Sequence, residues 1–144
     1  MRNAACLAIL LATTAPSLAA PAPTRVDDRA ALVRLRANSG LTLQWISWDR
    51  RGHLAVADHE GRWHLSGSQE GNGGRLTIDG DVVEIGRDSF TFAGRIVITD
   101  TPDPGRDCVR DGTYEFRITR NRRYWRLQQM EQCDGLTDYV DIYF

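Results

Sequence analysis

The sequence predicts a mainly β protein: a small antiparallel meander of eight to nine strands, closed as a barrel or folded as a sandwich, with one short N-terminal helix. Three observations carry this. From Leu41 onward apolar residues recur at every second position, the period of a strand with one buried face. All 13 glycines lie between Gly40 and Gly135, spaced as turn punctuation. The periodic segments are short and follow one another at near-regular intervals, as hairpin-linked strands do and βαβ units do not.

The chain has 144 residues, enough for one domain with a single core. Met1 to Ala19 reads as a secretory signal peptide: Arg2 gives the positive start, Ala4 to Ala12 the apolar run, and Ser17-Leu18-Ala19 the small residues of a cleavage site. The apolar run is shorter than the roughly 20 residues that a bilayer core requires. Residues 20–26, with Pro21 and Pro23, are expected as a flexible leader, and 27–144 as the single β-rich domain. Cys6 leaves with the signal, so Cys108 and Cys133 remain. In an oxidising compartment such a pair is a structural disulfide, and no Cys-x-x-Cys spacing suggests redox or zinc chemistry instead.

Asp27-Asp28 followed by Arg29 to Ala37 predicts the helix, with Arg34 and Arg36 near its end and Asn38-Ser39-Gly40 closing it. Leu41, Leu43 and Trp45 then begin the strands. Asp58 to Gly61 is expected as one hairpin turn and Asp79-Gly80 as another. Phe90 to Thr99 is one long strand bent at Gly94 or a hairpin there. Gly71-Asn72-Gly73-Gly74 is expected to be a flexible loop. Tyr114, Phe116 and Ile118 face inward on the next strand, Trp125 and Leu127 on its partner, and Val140, Ile142 and Phe144 on the last, where Tyr139, Asp141 and Tyr143 take the opposite phase.

All 18 cations other than histidine are arginine, against 19 acidic residues, for a net charge of −1. That balance makes no overall basic field, and no nucleic-acid partner is expected. His53, His59 and His64 are expected on the surface; a register pairing Asp58 with Gly61 sets Ala55 opposite His64 and makes His53 its diagonal neighbour. Asp79, Asp81, Glu84 and Asp88, and again Asp100, Asp103 and Asp107, are oxygen-rich but lack the grammar of a calcium loop. No metal and no cofactor are expected. Gly-x-Ser-x-Gly, His-Glu-x-x-His and phosphate-cradling loops are missing, so no catalytic residues are nominated and the protein is not expected to be an enzyme. Ser66, His59 and His64 are the residues that a hydrolase reading would use. The terminal Phe144 suggests an outer-membrane barrel, but Asp138 and Asp141 interrupt the strand that would face lipid.

The densest chemical feature is basic. Arg117, Arg120, Arg122, Arg123 and Arg126 surround Tyr124 and Trp125. Guanidinium groups grip phosphate, sulfate or carboxylate in a two-pronged fork and stack on aromatic rings. Arg117, Arg120, Arg122, Arg123, Tyr124 and Arg126 are therefore the candidate ligand-binding residues, weighed against a plainly solvated strand face. The expected partner is an anionic glycan, a lipid headgroup or an envelope protein. A further reading, an inhibitor of a secreted hydrolase, would use Gln69 to Arg75 or Asp100 to Asp107 as a protruding loop.

The closing stretch Tyr124-Trp125-Arg126-Leu127-Gln128, then Cys133, then Asp138 to Phe144, is similar to small uncharacterised secreted bacterial proteins. The resemblance implies export and a compact β-domain, and it transfers no site residues. Together these readings predict a periplasmic or secreted, non-catalytic binding module that does not span the membrane.

Overall fold

The computed structural model describes residues 14–144; the apolar run Ala4 to Ala12 assigned to the signal lies outside them. The elements are β1 (Arg25–Val26), α1 (Arg29–Arg36), β2 (Gly40–Leu43), β3 (His53–His59), β4 (Arg62–Gly71), β5 (Gly74–Ile85), β6 (Ser89–Thr99), β7 (Asp107–Arg117), β8 (Tyr124–Leu127) and β9 (Val140–Tyr143). Strands β2 to β9 form one antiparallel sheet in the order β2-β9-β8-β7-β6-β5-β4-β3. Its two ends meet at a single bridge, where Leu41 and Gly52 exchange main-chain bonds of 3.2 and 2.8 Å. The meander is thus a nearly closed eight-stranded barrel, not a sandwich. Strand β1, at the end of the stretch expected as leader, pairs in parallel with β5, Arg25 opposite Glu84.

Alternation explains the long strands. In β5, Leu76, Ile78 and Val82 point inward; a bulge between Val82 and Glu84 then restores Ile85 to the core. Opposite them Phe90, Phe92, Ile96 and Ile98 fill the interior with Phe116, Trp125 and Leu127. Phe90 stacks on Phe116 at 4.9 Å, and Trp125 meets Phe90 edge-on at 5.8 Å. An eight-stranded barrel is just wide enough for side chains to fill it.

Two turn expectations are corrected. Asp79-Gly80 is not a hairpin, because β5 runs straight through it. Gly80 lies opposite Gly94, and a Cβ on Gly80 would stand 2.6 Å from the Gly94 Cα and 2.7 Å from the Phe92 ring. The glycine makes room for a ring and a neighbouring backbone, not for a turn. Gly71-Asn72-Gly73-Gly74 is not a flexible loop. Gly71 pairs with Gly74, and Asn72 and Gly73 adopt φ of 51° and 79°, the two left-handed positions of a tight hairpin turn. Phe90 to Thr99, open between two readings, is one continuous strand.

Helix α1 begins where the Asp28 carboxylate accepts the Ala31 amide at 2.9 Å, satisfying one of the first-turn donors. It buries Ala31 and Leu35 and closes the end of the barrel that carries the β3–β4, β5–β6 and β7–β8 turns. There Arg34 lies over the Phe144 ring at 5.3 Å and donates to the Arg87 carbonyl at 2.6 Å. At the opposite end Gln69, 3% exposed, accepts from the Leu43 amide and donates to the Ser47 and Arg50 carbonyls, all within 2.9 Å. One buried amide thereby fastens the connection 44–52. Gln69 does not open a protruding loop.

Candidate functional site

The basic segment does not act as one patch. Arg117 pairs with Glu115 at 2.5 Å. Arg126 forks the Asp141 carboxylate with two bonds of 2.7 Å. Arg120, Arg122 and Arg123 occupy the β7–β8 connection and form no ion pair among the described residues.

Asp141 explains the arrangement. It takes the outward phase of β9 yet has no exposed surface, and neither has Thr42 beside it on β2. The 44–52 connection folds back over this part of the sheet. Trp48 stacks on Tyr139 at 6.3 Å, and the Arg51 guanidinium lies 4.1 Å from the Tyr143 ring centre. Tyr124 and Tyr143 lie opposite each other on β8 and β9, ring centres 5.1 Å apart. Arg126 reaches across Tyr139 at 4.2 Å, Tyr124 at 5.1 Å and Trp48 at 5.9 Å. A second, thin layer of rings and guanidiniums therefore lies outside the barrel, with a carboxylate sealed beneath it. The hydrogen bonds that Arg126 donates to Asp141 push its pKa still higher than the ordinary value, so Arg126 is a fixed cation whose fork is occupied.

The outer edge of this layer remains open. Trp48 is 45% exposed, and Arg51, Arg122 and Arg123 are exposed. Arg122 lies over Tyr124 at 5.6 Å and Arg123 over Phe144 at 5.7 Å. Of the six residues nominated from sequence, Tyr124, Arg122 and Arg126 belong to this face, with Arg123 at its border. Arg117, opposite Arg126 on β7, is taken up by Glu115, and Arg120 has no ring or ion-pair contact with the face among the described residues. Sequence reasoning missed Trp48, Arg51, Tyr139 and Tyr143. Its one available signal was the aromatic pair on the outward phase of the last strand.

A second polar cluster ties down the neighbouring loop. Asp138, with no exposed side-chain surface, accepts from Arg106 at 2.9 and 2.8 Å, from Arg110 at 2.9 Å and from the Trp45 indole at 2.9 Å. Burial alone would raise its pKa, but these donors outweigh burial and hold the carboxyl below its usual range. The Cys108–Cys133 disulfide, Cα atoms 5.8 Å apart, lies beside it, with Arg110 donating to the Cys108 sulfur.

The histidines are placed differently from the expected register. The β3–β4 turn is Glu60-Gly61, so Ala57 lies opposite His64 and Asp58 opposite Trp63. His53 instead pairs with Ser68, and the ring neighbour of His64 is His59, stacked at 5.2 Å. Asp81 takes the His64 Nδ1 at 2.7 Å and Asp79 the Nε2 at 3.0 Å. Burial works against the charged ring, but the two carboxylates prevail and raise its pKa. Both ring nitrogens are thus occupied, and Ser66 is not bonded to either. Among the described residues no group of three or more His, Cys, Asp or Glu side chains is arranged to hold a metal ion, and no helix is long and apolar enough to cross a membrane.

Compared with known proteins, the chain is 43% identical over 104 residues to the uncharacterized protein PM1083 of Pasteurella multocida (strain Pm70), covering 71% of this chain and 68% of that protein. No solved structure matches it. The model of the PM1083 family matches residues 23–144, a span that includes the barrel, the disulfide and the outer layer described above, and the chain belongs to that family.

Proposed function

We propose that the protein is an exported, non-catalytic binding module that docks an acidic surface of an envelope protein on its arginine–aromatic face. One observation carries the reading. Arg51, Arg122 and Arg123 stand exposed around half-buried rings with no carboxylate partner among the described residues, in a chain whose net charge is −1. Trp, Tyr and Arg are the side chains that dominate binding hot spots. Stacking and the Asp141 fork already order them, which lowers the entropy cost of engagement. Four surface depressions of a size to suit a small ligand are lined by other residues, so a macromolecular partner is proposed for this face. Export is supported by the Met1–Ala19 pattern and by the disulfide.

Retention of a single envelope protein on the immobilised protein tests this, with a sulfated glycan and anionic lipid vesicles as parallel probes. Trp48→Ala and the double variant Arg122→Glu/Arg123→Glu should each weaken retention at least about tenfold, and salt should elute the partner. Retention unaltered by either variant rejects the face. Binding of the glycan or vesicles alone reassigns the ligand.

A second reading, an inhibitor of a secreted hydrolase, is supported by the 100–106 loop. Its exposed tip is braced by Gly105 on the Asp100 carboxylate at 2.8 Å and by Arg106 on Asp138. Shortening that loop should then abolish inhibition while Trp48→Ala leaves it intact.

A further inference from the structure

The barrel has a seam. Strand β3 pairs along its whole length with β4 on one side, but on the other it meets β2 only through Gly52 and Leu41. Because Gly52 directs both its main-chain groups to the seam, the residues at the same parity, Leu54, Val56 and Asp58, direct theirs the same way. The Leu54 carbonyl is satisfied by the Asn38 side-chain amide at 3.0 Å. Val56 and Asp58 have no main-chain partner there among the described residues. Beside them runs a groove of about 330 Å³ between α1 and β3, lined by Val33, Arg36, Ala37 and Val56. Val33 is 60% exposed, and Arg36 lies over the Trp63 ring without a carboxylate partner among the described residues.

We infer that this edge pairs with the same edge of a second copy, joining two barrels through β3. Unpaired main-chain donors and acceptors call for an extended strand, and β3 is complementary to itself. A two-fold axis through Ala57 sets Val56 opposite the partner's Asp58, and the reverse. Each such pair exchanges both of its main-chain hydrogen bonds, so all the unpaired groups of both residues are satisfied at once. At the axis Ala57 faces the partner's Ala57 as a non-hydrogen-bonded pair, which two methyl groups fill without a clash. The partner's Asp58, exposed in the single copy, falls on the same side of the sheet as Val56 and therefore beside Arg36. The groove thus offers a cation where the second copy brings an anion. Registers centred on Val56 or Asp58 fail this test: the first meets the occupied Leu54 carbonyl, and the second sets like charges face to face.

Sedimentation equilibrium of the oxidised protein, from about 10 µM to about 1 mM because so small a contact belongs to the weak class, should show a monomer–dimer equilibrium. Ala57→Arg opposes two cations at the axis without touching the core; it should raise the dissociation constant at least about tenfold and leave the melting temperature unchanged. Register is read separately by cysteines. Under oxidation Ala57→Cys should link two copies, since residues paired at the axis have Cα atoms about 4.5 Å apart. Ala55→Cys should not, because its two copies stand about 13 Å apart along the strands. A monomer at every concentration, a dimer that survives Ala57→Arg, or equal linking at 55 and 57 would each overturn the inference.

Discussion

A carboxylate stripped of water needs its hydrogen bonds from the protein, and Asp138 takes four of them from Arg106, Arg110 and the Trp45 indole. Removing one member of such a buried group leaves the others charged and unpaired, so Asp138→Ala should cost about 3–5 kcal/mol in chemical denaturation. Because its folded pKa lies below the unfolded value, the contribution is complete above the ordinary carboxylate range. It is lost as pH falls through the lowered folded value. His64 has the opposite sign. Its folded pKa is raised, so its contribution is full below about 6.5 and disappears as pH rises through the folded value. An NMR titration of the ring should show the raised pKa, and Asp81→Asn should bring it down; no change on that substitution would dissociate the pair. None of these partners was legible in the sequence. Asp138 and Asp141 read as interruptions of an apolar strand, whereas their burial depends on arginines that folding brings from 15 to 32 residues away.

At the scale of elements, glycine shows what local reading can and cannot separate. Asn72-Gly73 and Asp79-Gly80 carry nearly the same turn signal. The first is a turn because both residues adopt left-handed φ; the second lies mid-strand because Phe92 and Gly94 occupy the space of a side chain. The two glycines should therefore respond differently to alanine. Gly73→Ala, with no atom within 4 Å of its added Cβ, should cost about 1–2 kcal/mol from backbone strain alone. Gly80→Ala should cost about 1–3 kcal/mol from overpacking, with Phe92 displaced in its NMR spectrum. The strands themselves were legible because period two is a local property. So was α1, with the arginines of its last turn, although Asp28 stands as its cap and not within its first turn.

For the whole molecule, the strand count and antiparallel class were readable, but closure was not. Whether a meander closes depends on whether β2 and β9 find each other, and no local pattern encodes that. The outer layer escaped for the same reason: the 44–52 connection covers residues 139–143, about ninety positions later. The disulfide closes a loop across a sequence separation of 25, and reducing it should cost about 3–4 kcal/mol in the loop-entropy account. A denaturant midpoint measured with and without reductant checks this.

The pairing of β2 with β9 joins residues 40–43 to 140–143. Until the last of these residues is available, β2 lacks its principal neighbour and the outer carboxylate Asp141 does not exist to be covered. Closing so long a loop comes late and slowly, since non-local pairing must overcome its chain entropy before any contact rewards it. Without β9, strands β3 to β7 still have their sequential partners, but the ring cannot shut. The barrel and its outer arginine–aromatic layer thus become complete in the same final step, because both depend on the pairing of residues 40–43 with 140–143.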